Sequence, residues 1–163
     1  MTEATKALSE YVFDRDRHEF SLGDTLDIKT GLLLACLTFL AFQASNIIGL
    51  SLSHPQMIVE TAAIVFLILG GILSIVELWP RDYMREAMPD AYEAWISSLE
   101  EYQKQYPDAS VPALPQVRLS KAKERIQANS IVNGKKTRLM FLVFYCVAIA
   151  FLGNLITLAM RLF

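Results

Sequence analysis

The sequence predicts an all-α, integral membrane protein with three transmembrane helices and a cytosolic helical region. Three observations carry this prediction. Charged residues make up 20% of the 163 residues, yet they avoid Gly31 to Gly49, Thr61 to Val76 and Leu139 to Met160 entirely. A bilayer core ~30 Å thick takes ~20 apolar helical residues. The first and third windows meet that length, and the second meets it as Met57–Trp79, with Glu60 and Glu77 toward its two ends. Basic residues are also unevenly placed: none lies in the Leu50–Gln56 connection, and ten lie from Arg81 to Arg138. Spans are expected at about 31–50, 57–79 and 139–162, with cytosolic helices at about 3–20 and 89–137, all in a single domain covering 1–163.

The basic asymmetry sets orientation, because Lys and Arg are retained on the cytosolic side. The N-terminus and the long 80–138 connection are expected in the cytosol. The Ser53-His54-Pro55 loop and the C-terminus are expected outside, with Arg161 snorkelling to the far interface. The first 30 residues are highly charged and lack the apolar centre of a cleavable signal, so the first span is expected to insert uncleaved.

Residues 3–20 read as a helix whose short apolar stripe, including Leu8, Tyr11 and Val12, packs on a partner or lies at the membrane surface. Ser21 and Asp24 have capping-box spacing with Asp in place of Glu, and Gly23 permits a bend there. A continuous helix into the membrane is the alternative. His54-Pro55 makes the first two spans an antiparallel hairpin. Pro80 closes the second span, with Trp79 and Tyr83 as interface anchors and Glu77 and Arg81 as an i,i+4 pair. In the helix Pro89–Tyr106, the residues Tyr92, Trp95, Leu99, Tyr102 and Tyr106 recur at steps of three and four. This seam is either a core face packed on another cytosolic helix or an oligomer or partner surface. After the Pro107–Pro115 loop, Ser120 is placed to cap a helix running from about Lys121 into the third span, with Gly134 as its weak point.

Several classes of function find no support in the sequence. No nucleophile elbow, phosphate loop, metal-ligand cluster or catalytic carboxylate pair occurs, so no enzymatic activity, cofactor or metal is expected. His18 and His54 stand far apart, and Cys36 and Cys146 fall within spans as small apolar packing residues. A net charge of −2 without an Arg-aromatic motif gives no sign of nucleic-acid binding. The polar residues inside the spans remain: Gln43 and Asn46 in the first, Asn154 and Thr157 in the third, and Glu60 near the outer end of the second. Such groups make hydrogen bonds between helices of one subunit or line a water path. Asn46 and Asn154 are expected to share one layer, with Gln43 a turn deeper. Gly31/Ala35, Gly70/Ser74 and Gly153/Thr157 are small-xxx-small steps that allow close helix approach.

Three local patterns follow one another in order. Asp27-Ile28-Lys29-Thr30-Gly31-Leu32-Leu33-Leu34 opens the first span, and Leu78-Trp79-Pro80-Arg81 closes the second. Asn129 with Lys135-Lys136-Thr137-Arg138 leads into the third. Over about residues 5–162 this order resembles the membrane module of Pycsar effectors, and more loosely the SLATT-type transmembrane effectors of bacterial anti-phage defence. The resemblance implies an effector of the bacterial inner membrane that perturbs or depolarises it during abortive infection, triggered by a nucleotide second messenger; a homo-oligomer is expected because three helices cannot enclose a conduit and the aromatic seam offers a contact surface. Many such effectors join the module to a cyclic-nucleotide-binding domain, which has no counterpart in these 163 residues. The trigger is therefore expected from a nucleotide-sensing or nucleotide-synthesising partner, or from direct sensing by the small cytosolic helices. A non-lytic membrane scaffold that recruits a partner through the aromatic seam is the second reading. A transporter or channel subunit is the third, and no inverted repeat supports a transporter.

Overall fold

The computed structural model describes residues 3–108 and 113–162. These residues form four helices: α1 (Glu3–Ile48), α2 (His54–Leu78), α3 (Pro89–Gln105) and α4 (Leu114–Leu162). No strand occurs among the described residues. Three helices, α1, α2 and α4, are long and apolar enough to cross a membrane.

Local sequence explains most of the boundaries. The Ser53 backbone N–H donates to the Gln56 side-chain oxygen at 2.8 Å, half of a capping box, and Pro55 occupies the first turn of α2, where its missing N–H costs nothing. Trp79 ends α2 immediately before Pro80, as proline restricts the residue ahead of it. In α3, Asp90 lies in the first turn and Lys104 in the last, each at the end of the helix dipole that favours its charge.

One boundary follows the second of two alternatives, and another differs from expectation. α1 does not break at Ser21–Asp24 but runs through it, and Gly23 lies on its buried face beside Leu26. Packing of that face outweighs the roughly 1 kcal/mol that glycine costs in a helix. α4 starts at Leu114 rather than after Ser120, with Pro115 in its first turn, so Ser120 is an interior helical residue and not a cap. Gly134 is exposed and helical and does not interrupt α4. Of the Pro107–Pro115 loop, residues 109–112 lie outside the described residues.

The chain divides into two compact units, and α1 and α4 run through both. The first contains α1 up to Phe20 together with Asp82–Ile131. Within it, Val12 and Ala122 are buried, and the buried Arg125 guanidinium donates to Asp16 at 2.6 and 2.9 Å. The Asn129 side chain clamps the backbone of Met84, donating to its carbonyl at 3.1 Å and accepting from its N–H at 3.0 Å.

The second unit contains Ser21–Arg81 and the chain from Val132 onward. Its interior follows a heptad rhythm. α2 buries Gln56, Glu60, Ala63, Leu67, Gly70, Ser74 and Glu77, in alternating steps of four and three. α1 contributes Leu26, Thr30, Leu37, Leu40, Ala44 and Ile47, and α4 contributes Asn133, Lys136, Val143, Cys146, Ala150, Asn154 and Thr157. A 3.5-residue repeat keeps one seam of each helix facing its partners. A Cβ on Gly70 would lie 3.0 Å from the Cys146 Cβ and from Leu37, and one on Gly153 would lie 2.8 Å from the Ala63 Cβ. These two glycines therefore permit close helix contact, whereas Gly31 has no such neighbour. Outside the seam, large apolar side chains face away from the protein, among them Phe39, Phe42, Ile68, Ile72, Phe144 and Leu155. Along the apolar windows the unit thus exposes large apolar side chains and buries polar ones such as Glu60, Ser74, Asn154 and Thr157.

Candidate functional site

Buried polar side chains in the second unit gather in two layers, with Leu37, Leu40, Ala44, Leu67, Val143 and Ala150 as the apolar core. On α2 the layers are marked by Glu60 and Glu77, 17 positions apart in the sequence. At ~1.5 Å per residue this places them about 25 Å apart along the helix, close to the thickness of a bilayer core.

The Glu77 layer joins the three sequence patterns. Asp27 and Thr30 come from the first, Arg81 from the second and Lys136 from the third. Lys136 is 2% exposed, and its ammonium donates to the Asp27 carboxylate. Glu77 is fully buried, with Thr30, Lys136, Asp27 and Arg81 as the groups that act on its carboxyl. Neither Glu77 oxygen closes a hydrogen bond, and neither does the Thr30 hydroxyl. The expected Glu77–Arg81 pair does not close either: Arg81 donates to the Val76 carbonyl at 3.2 Å. Helical i,i+4 geometry ends with α2 at Leu78, so Arg81 lies beyond the turn that would have aligned the two.

The Glu60 layer is built differently. Glu60 from α2 and Asn154 and Thr157 from α4 are all at most 2% exposed. Thr157 comes close to the Glu60 carboxyl without closing a hydrogen bond to it, and none of the ion pairs among the described residues includes Glu60. Asn154 donates through Nδ2 to the Leu40 carbonyl of α1 at 3.5 Å. Both Glu60 oxygens, Asn154 Oδ1 and the Thr157 hydroxyl remain without hydrogen bonds.

Of the four polar residues singled out from the sequence, Asn154 and Thr157 thus meet inside the unit. Gln43 and Asn46 do not join them. Ala44 and Ile47 take the interior positions of that α1 turn, so Asn46 is exposed and Gln43 half-buried. Both line an open surface groove of about 410 Å³ with Phe39, Phe42 and Leu158.

The aromatic seam of α3 is split. Tyr92, Trp95 and Leu99 are half-buried, whereas Tyr102 and Tyr106 are exposed and face each other with ring centroids 4.9 Å apart. Arg118 lies over the Tyr92 ring at 5.6 Å and the Phe13 ring at 5.5 Å, and donates to Glu86 at 2.8 Å. The Glu86 hydrogen bond holds the Arg118 guanidinium above its ordinary pKa, against partial burial. Burial also opposes the charge on Arg125, and the adjoining Asp16 carboxylate outweighs it, so that this pKa too is raised. An open pocket of about 280 Å³ lies in the same unit, lined by Asp16, Arg17, Phe20, Met84, Arg85, Glu86 and Arg125.

Lys136 and Thr30 escaped the sequence reading as interior groups. The signal that would have found this layer is the four-three spacing on α2, which places Glu60, Ser74 and Glu77 on one seam. Among the described residues no group of three or more His, Cys, Asp or Glu side chains is placed to hold a metal. No protein-family model, curated protein or solved structure matches this chain.

Proposed function

We propose that this protein is a multi-pass protein of the bacterial inner membrane that perturbs or depolarises that membrane in abortive anti-phage defence. The observation that carries the membrane part is the inverted second unit. Lysine, glutamates and asparagine are buried while phenylalanine, isoleucine and leucine face outward. In water such a surface is costly; in lipid it is the stable arrangement, because polar groups find partners only inside the bundle. The basic asymmetry of the connections supports a cytosolic N-terminus and an external C-terminus. The defence part rests on the order of the three sequence patterns. A resting state that keeps its charges sealed inside three helices encloses no conduit, so activity requires assembly of several copies. A nucleotide second messenger, or a partner that senses or makes one, would favour the assembled state by binding it more tightly.

A non-lytic scaffold is the second reading, favoured by the exposed Tyr102–Tyr106 pair at the end of α3, which is available to a cytosolic partner. A potential-sensitive dye in cells expressing the protein with its native gene neighbours, before and after phage infection, separates the two. Depolarisation that accompanies protection supports the effector. Protection with an unchanged membrane potential overturns it in favour of the scaffold. Reporter fusions at the two termini should report opposite compartments; a cytosolic C-terminus would remove one of the three spans.

A further inference from the structure

We infer that the Glu60 layer is a binding site for a single monovalent alkali cation, coordinated by the Glu60 carboxylate, the Asn154 side-chain carbonyl and the Thr157 hydroxyl. The inference rests on the reading that the second unit lies in a membrane. Four side-chain oxygens at this level make no hydrogen bond: both of Glu60, Oδ1 of Asn154 and Oγ1 of Thr157. All three residues are at least nine-tenths buried. The register of α2 and α4 brings Thr157 level with Glu60, and Asn154 lies on the same buried seam of α4 three residues earlier. Gly153 abuts Ala63, so one turn further along each helix Thr157 comes close to the Glu60 carboxyl. Asn154 spends its amide N–H on the Leu40 carbonyl of α1, which leaves its oxygen without a partner.

A buried polar oxygen without a donor is costly, and a buried carboxylate without a countercharge is more so. The Glu77 layer has the Lys136 ammonium; none of the ion pairs among the described residues includes Glu60. Hard oxygen donors of carboxylate, amide and hydroxyl type suit hard cations and not thiophilic or imidazole-seeking metals. Charge selects among the hard cations. One carboxylate and two neutral oxygens are neutralised by a single positive charge, whereas a divalent ion would leave an uncompensated charge in a low-dielectric interior.

The test uses the full chain, purified in detergent after confirming that it resists alkaline carbonate extraction from membranes. Thermal unfolding is followed by circular dichroism in sodium, potassium or N-methyl-D-glucamine chloride at constant ionic strength. The midpoint should rise with the logarithm of the sodium or potassium concentration and stay flat in the bulky organic cation, as linkage requires for a ligand that binds the folded state. Glu60→Gln keeps the shape, removes the charge and should abolish this response. Thr157→Val, a milder change, should shift the response to higher salt. A midpoint that follows pH but is indifferent to which cation is present would assign a proton to Glu60 and overturn the site. So would a cation response that survives Glu60→Gln. Release by carbonate would overturn the membrane reading itself, and is read before any salt is varied.

Discussion

Glu60 and Glu77 are both buried on one seam of α2, yet the two ends of that seam treat a carboxyl group differently. At Glu77 the protein brings a lysine from α4, bonded to Asp27 of α1, and Arg81 from just beyond α2, so that two cationic groups stand against two carboxylates within the chain. At Glu60 it brings an amide and a hydroxyl, which offer polarity without charge. A layer balanced by its own side chains is a structural fastening. One left with surplus oxygens depends on what enters it.

The largest expected effect falls on the balanced layer. Lys136→Met should destabilise the protein by about 3 kcal/mol, the lower part of the range for breaking a buried pair, because Asp27 retains some solvent while Glu77 does not. Adding Glu77→Gln should restore much of the loss. Reversible unfolding in mixed micelles, followed by circular dichroism, measures both; a double variant no better than the single one would show that Lys136 does not serve Glu77. Next comes Gly153→Ala, beside the Glu60 layer. The new methyl group would stand 2.8 Å from the Ala63 Cβ, an overpacking worth about 1–3 kcal/mol. Ala63→Gly in the same chain should relieve it, and no rescue would mean that the helices separate differently. Thr30→Val removes a buried hydroxyl that closes no hydrogen bond, so its effect should stay within about 1 kcal/mol in either direction. A larger loss would give Thr30 a place in the charge balance of the Glu77 layer. The smallest change is Gly134→Ala, at an exposed helical position with no neighbour within 4 Å, expected to stabilise by about 0.5–1 kcal/mol.

The three long apolar helices were legible because length and absence of charge are one-dimensional properties, and α1, α2 and α4 cover the three expected windows to within two residues. Helix ends inside the charged regions were less so. Ser21, Asp24 and Ser120 have the chemistry of caps, but a cap forms only where the backbone leaves the helix, and packing of the following turns kept it helical. The interior was half legible. Asn154 and Thr157 stood out against an apolar background and are buried, whereas Asn46 stood out equally and faces outward. Polarity alone does not say which way a side chain points; its phase relative to the heptad does. Lys136 was hidden for the opposite reason. Within a run of basic residues it looks like part of a solvated face, and only its seven-residue spacing from Val143 separates it from Lys135.

The Asn129 clamp bears on how this sequence tolerates change. Its amide reads the backbone of residue 84 and not the methionine side chain, which is exposed. Position 84 should therefore accept most amino acids other than proline, which lacks the N–H. Position 129 should accept almost none: Asp has no donor, Ala has neither group, and Gln is one methylene too long for both bonds at once. Saturation mutagenesis of the two positions should give one permissive and one restrictive profile, although the two residues hold each other.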